Sequence, residues 1–208
     1  MAKKSVIAIV GATAVGKTAF SLDLAEALNG EIVSADSRLV YRGMNIGTAK
    51  PTAAEQARAP HHLIDIINPD DDYSLAMYQA AAYTAINEIH ARGKIPLLVG
   101  GTGQYVAAVL EGWSIPHVAP NQALRAELQT HADQHGASVL HEQLAAVDPE
   151  AAQAIDSSNV RRVIRALEVF HVTGTPISIL QQRQPPPYLI TTFDLERPRD
   201  ELYARIDA

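Results

Sequence analysis

The chain has 208 residues, 47% of them hydrophobic, a formal net charge of −6 and no cysteine. That length allows a full core, burying roughly 70% of the unfolded surface by size scaling alone, and the lack of cysteine excludes disulfides and thiolate zinc sites and agrees with a reducing compartment. No apolar run approaches the ~20 residues of a membrane span, and the acidic balance gives no global basic footprint, so a soluble, cytoplasmic protein is expected in which any RNA binding rests on a local cluster.

The opening Met1-Ala2-Lys3-Lys4 and the apolar residues after it resemble a signal peptide only briefly, because glycine interrupts the run at Gly11. Val6 to Val10 reads instead as a buried first strand. It runs into Gly11-Ala12-Thr13-Ala14-Val15-Gly16-Lys17-Thr18, a full match to the phosphate-loop pattern G-x-x-x-x-G-K-[ST]. Glycine at both ends lets successive N–H groups converge on phosphate oxygens, and the following helix adds its positive end. Lys17 supplies a charge for the outer phosphate and the Thr18 hydroxyl a ligand for Mg²⁺. The helix after the loop spans Ala19 to Leu28, with Phe20, Leu24 and Leu28 as its apolar stripe, Ala25 beside them, and Asn29-Gly30 as its stop.

Glu31 to Ala35 is a short β-branched strand that ends at Asp36-Ser37-Arg38. In an open parallel α/β sheet, ligands bind beyond the carboxyl ends of strands, so Asp36 and the phosphate loop are expected to face one crevice. Residues 41–60 look irregular apart from a short helix capped by Thr52, and His61 to Ile67 reads as a further strand or strand edge. Asp70-Asp71-Asp72 reads as a solvated turn before a helix from Ser74 to about Arg92. Ile95 to Val99 is a second clear buried strand and enters another glycine loop, Gly100-Gly101-Thr102-Gly103, before a helix to about Glu111. That loop lacks the full dinucleotide pattern, and Thr102 is either a ligand contact or an incidental turn residue.

From Gly112 the alternation of strands and helices stops and a helical insertion is expected over residues 113–184. Helices are predicted from Asn121 to His135, Ala137 to Val147, Pro149 to Ile155, and from a Ser158 cap to Gly174. The last begins with Arg161, Arg162 and Arg165, either a solvated face or a clamp for phosphates. His131 and His135 stand at i, i+4 with no third ligand nearby, which favours surface histidines over a metal site. Residues 185–208 return to the core through Tyr188 to Phe193, a strand, and a helix started by Pro198. The expected fold is α/β, a P-loop NTPase-like parallel sheet with flanking helices (1–112 and 185–208) and a helical insertion domain (113–184).

These stretches together resemble the tRNA dimethylallyltransferase (tRNA isopentenyltransferase) family over nearly the whole chain. The resemblance is carried by Gly11 to Thr18, Ala35-Asp36-Ser37-Arg38, Tyr41 to Met44 with Gly47 to Pro51, His61 to Asp65, Leu98 to Gly103, and Arg162 to Val169. The chain departs from the family's common residues at Ala12, Val15, Leu39, Val160 and Arg161. The resemblance implies transfer of a dimethylallyl group from dimethylallyl diphosphate to N6 of the adenosine 3′ to the anticodon, in tRNAs reading codons that begin with U. It implies a diphosphate held by Gly11, Ala12, Thr13, Ala14, Val15, Gly16, Lys17 and Thr18 with Mg²⁺ on Thr18, and Asp36, Thr102 and Lys17 as catalytic residues. It further implies contact with the tRNA anticodon stem-loop through Asp36, Ser37, Arg38, Leu39, Thr102, Arg125, Arg161, Arg162, Val163, Ile164 and Arg165, and a monomer is expected. The family continues for roughly another half of this length, so the chain is expected to be a fragment.

The rival reading is a P-loop kinase with ATP in the loop and the helical insertion as a lid. A GTP switch is weaker, since no Asn-Lys-x-Asp element is present, and an RNA-binding module without chemistry and a prenyltransferase acting on free adenylate remain as further alternatives.

Overall fold

Five short strands form the frame: β1 (Lys4–Gly11), β2 (Gly30–Ser34), β3 (His61–His62), β4 (Ile95–Val99) and β5 (Tyr188–Leu195). In the computed structural model, which describes residues 4–207, they form one sheet in the order β3-β2-β4-β1-β5. Every pairing is parallel. Met1 to Lys3, where the signal-like start lies, and Ala208 are outside the described residues. The chain divides into two units, Met1–Gly112 with Pro185–Ala208, and Trp113–Gln184.

In the first unit, α1 (Lys17–Leu28), α2 (Ala53–Arg58), α3 (Leu75–Ala91) and α4 (Gly103–Leu110) connect the strands. Side chains alternate across a strand, so β4 sends Leu98 and β2 sends Val33 into a core with Tyr78, Ile86 and Tyr105 of α3 and α4. Their neighbours Leu97 and Ile32 enter a second core with Leu22 and Ala25 of α1. Both faces of the sheet are covered, as a parallel sheet requires.

Two expectations need correction here. On α1 the expected Ala25 is buried and Phe20 and Leu24 pack partly buried against the core, but Leu28 is 39% exposed, and Ser21 and Leu22 complete the buried face. Small Ser21 and Ala25 let the helix backbone approach the sheet, and the Ser21 hydroxyl is satisfied by donating to the Thr18 carbonyl. The strand expected over residues 61–67 stops after His62, because Leu63 and Asp65 adopt left-handed φ values of 62° and 56°. The chain swings there toward residues 39–42, where Asp65 N–H donates to the Leu39 carbonyl and Ile66 N–H to the Val40 carbonyl.

The second unit is α5 (Gln122–His135), α6 (Ala137–Val147), α7 (Pro149–Ala154), α8 (Val160–Thr173) and α9 (Ile177–Leu180). Its core gathers Leu128, Leu140, Leu144, Val163 and Leu167. Asn121 caps α5 and Asp148 caps α7. The cap of α8 is Asn159 rather than Ser158, whose hydroxyl donates to Asp156 instead. The four residues of α9 are too few to carry a helical period and were not foreseen; Ser178 anchors them by donating backbone and hydroxyl hydrogens to the buried Asp148 carboxylate. After β5 the first unit closes with α10 (Arg199–Ile206).

Candidate active site

The carboxyl ends of β1, β2 and β4 meet in the first unit, and each carries a loop that the sequence singled out. After β1 the loop turns at Gly11 (φ 139°), Ala14 (φ 63°) and Gly16 (φ 111°). A Cβ at Gly11 would overlap the Leu195 carbonyl of β5, so glycine is required there on two grounds. Val15 is buried and pins the loop to the core. No side chain caps α1, which leaves its first N–H groups open toward a bound anion. Lys17 Nζ donates to the Gly11 and Ala12 carbonyls at 3.0 and 2.7 Å. Burial pushes its ammonium below the usual lysine value, against an opposing pull from the Asp36 carboxylate.

The loops after β2 and β4 are knitted together. Ala35 N–H donates to the Val99 carbonyl (2.7 Å), Thr102 N–H to the Ala35 carbonyl (3.2 Å), and Gly100 N–H to the Ile9 carbonyl (3.2 Å). The approach is so close that a Cβ on Gly100 would overlap the Ala35 carbonyl. Thr102 Oγ1 accepts from Ser37 N–H at 3.0 Å and donates to Ser37 Oγ at 3.3 Å. Asp36 Oδ1 accepts from Arg38 N–H at 2.8 Å, an Asx turn that fixes the carboxylate, and Oδ2 has no partner among the described residues. Below this strand end, the buried Tyr78 hydroxyl donates to the Ser34 carbonyl, and its ring stacks on Tyr105 at 3.8 Å. The Tyr105 phenol is pushed up to about 12 by burial and then by Tyr73, Tyr41 and Asp36. Sequence reasoning missed this tyrosine platform, since an aromatic at helical spacing reads as ordinary core.

Lys17, Thr18, Asp36 and Leu39 line one cavity of about 330 Å³, joined in its wall by Arg205 of α10. A second cleft of about 540 Å³ runs along Gly11, Ala12 and Gly101 to the apolar Val106, Ala107 and Leu110 of α4. Gly100 borders both. The Thr18 hydroxyl has no hydrogen-bond partner among the described residues and offers the hard oxygen donor that suits Mg²⁺. No group of three or more His, Cys, Asp or Glu that could hold a metal occurs among the described residues. Asp71 of the acidic turn accepts from Asn68 N–H, and His131 and His135 stack at 4.7 Å.

In the second unit the basic residues divide. Arg125 and Arg165 both pair with Glu168, which is 0% exposed, and the Arg165 guanidinium also donates to the Pro116 and Val118 carbonyls. Arg161 and Arg162 are exposed and have no ion pair among the described residues. Val163 and Ile164 are core residues, with relative exposures of 0% and 6%, so their side chains pack against the other helices of the unit.

Residues 39–208 match the family model described as IPP transferase, and residues 4–65 the model described as isopentenyl transferase. A tRNA dimethylallyltransferase from Herpetosiphon aurantiacus is 73% identical over 97% of this chain and 64% of its own length; one from Chloroflexus aggregans is 64% identical over 97% and 68%. The chain thus spans less than two thirds of the Herpetosiphon relative. Among solved structures, a full-length tRNA isopentenylpyrophosphate transferase from Bacillus halodurans is 46% identical, with a TM-score of 0.62 over 99% of this chain and 64% of that one. A eukaryotic dimethylallyltransferase, solved in snapshots acting on tRNA, superposes with a TM-score of 0.83 at 29% identity, over 98% of this chain and 51% of its own.

Proposed function

Since the chain belongs to the IPP transferase family, we propose that it carries the catalytic core of a tRNA dimethylallyltransferase. The reaction moves a dimethylallyl group from dimethylallyl diphosphate to N6 of the adenosine 3′ to the anticodon, in tRNAs reading codons that begin with U. One observation carries the reading: a phosphate loop with Lys17 and Thr18 shares a cavity with Asp36, a carboxylate held by a turn at the next strand end.

The adenosine amine attacks the allylic carbon, the carbon–oxygen bond to diphosphate breaks, and the N6 proton passes to a base. Asp36 suits that base, because one oxygen is fixed by Arg38 N–H and the other is available for the amine hydrogen. Lys17 and the open N–H groups of the loop and α1 stabilise the charge that grows on the departing diphosphate. Thr102 acts by its grip on Ser37, which orients Asp36. Mg²⁺ held by Thr18 and by the substrate phosphates would supply further compensation of that charge. An unpaired anticodon loop makes extrusion of the base less costly than opening a duplex. Arg38, Arg161 and Arg162, exposed and without ion pairs among the described residues, suit contacts to the RNA backbone. Arg125 and Arg165 are engaged by Glu168 and contribute mainly their positions. A substrate of this kind implies a cytoplasmic location, and no helix among the described residues is long and apolar enough to cross a membrane.

The test is Asp36→Ala assayed for prenyl transfer to an anticodon stem-loop, beside calorimetry of dimethylallyl diphosphate with Mg²⁺. Transfer is expected to fall at least ~100-fold with diphosphate binding retained. Unchanged turnover overturns the base assignment, and preferential binding of ATP over the prenyl diphosphate favours a kinase instead.

A further inference from the structure

The reaction as described leaves one buried hydroxyl unused, at the last residue of β2. Side chains alternate along that strand: Val33 enters the core with α3 and α4, and Ile32 the core with α1. Ser34, two residues beyond Ile32, therefore faces α1. It is 3% exposed, and its hydroxyl has no hydrogen-bond partner among the described residues. A buried hydroxyl without a partner is unfavourable, and alanine would fit the same place without that cost. Yet Ser34 lines the cavity of about 330 Å³ that also holds Gly16, Lys17, Thr18 and Asp36.

Mg²⁺ takes six oxygens and gives up its waters reluctantly, so an ion carried by substrate phosphates and one protein hydroxyl keeps several of them. Such waters are strong donors and need acceptors. In P-loop NTPases a carboxylate commonly serves the metal beside the loop hydroxyl, but both acids of this cavity are otherwise engaged. One Asp36 oxygen is fixed by Arg38 N–H and the other faces the amine in the proposed reaction, while Glu55 Oε2 accepts from the Thr52 N–H and hydroxyl in the cap of α2. Two further hydroxyls of the wall are committed to backbone, Ser21 to the Thr18 carbonyl and Thr48 to the Met44 carbonyl. Ser34 Oγ is buried in the same wall and uncommitted. A neutral acceptor there also adds no negative charge beside a diphosphate whose own charge grows as the allylic bond breaks.

We infer that Ser34 is a positioning residue for the metal: its Oγ accepts a hydrogen bond from a water carried by the Mg²⁺ that Thr18 and the substrate phosphates hold. The inference rests on the prenyl-transfer reading for the identity of the phosphate ligand. The test uses this chain and its Ser34→Ala and Ser34→Cys variants, titrated calorimetrically with inorganic diphosphate over a series of Mg²⁺ concentrations and once with the metal chelated. Loss of an outer partner of the metal is expected to raise the Mg²⁺ concentration for half-maximal diphosphate affinity roughly 10-fold in both variants. Cysteine keeps the side chain's place in the wall but is a weak acceptor, so its agreement with alanine excludes a packing effect. Without metal, the variants should bind diphosphate as the parent does. Melting temperatures of the free chains should match or rise in Ser34→Ala, since the hydroxyl has no protein partner to lose. A Mg²⁺ requirement within about twofold of the parent's in Ser34→Ala overturns the inference. So does an equal loss of affinity with and without metal, which assigns Ser34 to the diphosphate or to the shape of the loop. So does a parent whose diphosphate affinity is indifferent to Mg²⁺. A parent chain that binds ATP and not the prenyl diphosphate sinks the transferase reading instead, and the inorganic diphosphate series then decides on Ser34 by itself.

Discussion

At position 100 even a methyl group meets backbone. The Ala35 carbonyl occupies the place a Cβ would take, and neither partner is the flexible end of a side chain. Gly100→Ala must therefore part the ends of β2 and β4, with an expected loss of about 3 kcal/mol and of prenyl transfer together. Gly103, three residues on in the same loop, starts α4 with open space around its Cβ position. Gly103→Ala should leave stability unchanged or raise it by up to ~1 kcal/mol. Urea denaturation of the two variants separates them, and equal midpoints would contradict the close approach at Gly100. Thr102 supports a similar contrast. Thr102→Val leaves Ser37 N–H without its acceptor and is expected to slow transfer roughly 10- to 100-fold with diphosphate affinity unchanged, whereas Thr102→Ser retains the hydroxyl and most of the rate. At this scale the phosphate loop and Asp36 were legible because their chemistry fixes residue types at short spacing. Arg205 and Tyr78 were not, since only the parallel packing of distant segments brings them to the site.

Among the elements, legibility followed local physics. Helices with polar caps were readable: Thr52 forms a full capping box on α2, and Ser74 and Asn121 accept from the N–H groups three residues on. Failures came where tertiary contacts outweighed local pattern. The apolar residues of α1 marked its buried face only in part: Ala25, Phe20 and Leu24 pack toward the sheet, but Leu28 does not, and the small polar Ser21 does. The β-branched run after His62 did not continue the strand, because its amides bond to residues 39 and 40. The interior face of α8 holds Val163, Ile164 and Leu167, an apolar stripe, and among them the charged Glu168, which no local pattern announces. That carboxylate accepts from Asn121 N–H and both arginines, tying the start of α5 to α8. Glu168→Gln keeps the shape and removes the charge that Arg125 and Arg165 share. A loss of about 3 kcal/mol is expected, read as a lower melting temperature for the second unit. A melting temperature equal to the parent's would mean the arginines find solvent without cost.

Taken whole, the molecule has a buried carboxylate held by cations in each of its two units, and this sets its response to acid. In the first unit Glu31, at the amino end of β2, accepts from His62, Arg92 and Lys94. Burial alone would raise its carboxyl, but hydrogen bonds from Arg92, His62 and Lys94 outweigh that and hold it at about 2. In the second, burial acts on Glu168 in the same direction and is outweighed by Arg125, the Asn121 amide and Arg165, again to about 2. Both folded values lie below the ordinary glutamate value of 4.5. The unfolded chain therefore takes up protons first as pH falls. Each carboxylate contributes its full stabilisation above about pH 4.5 and loses it progressively as pH drops toward 2. The expected profile is level on this account from neutral pH to about 5 and falls steeply below 4, with both units losing stability over the same range. Glu31→Gln should lower stability at pH 7 while flattening the acid limb of the first unit, and Glu168→Gln should do the same for the second. Guanidinium unfolding at pH 7, 5, 4 and 3 reads both effects. If the Glu31→Gln profile keeps the parent's slope below pH 4.5, the acid sensitivity belongs to other carboxylates, and the cluster at the amino end of β2 stabilises the fold through packing instead of charge.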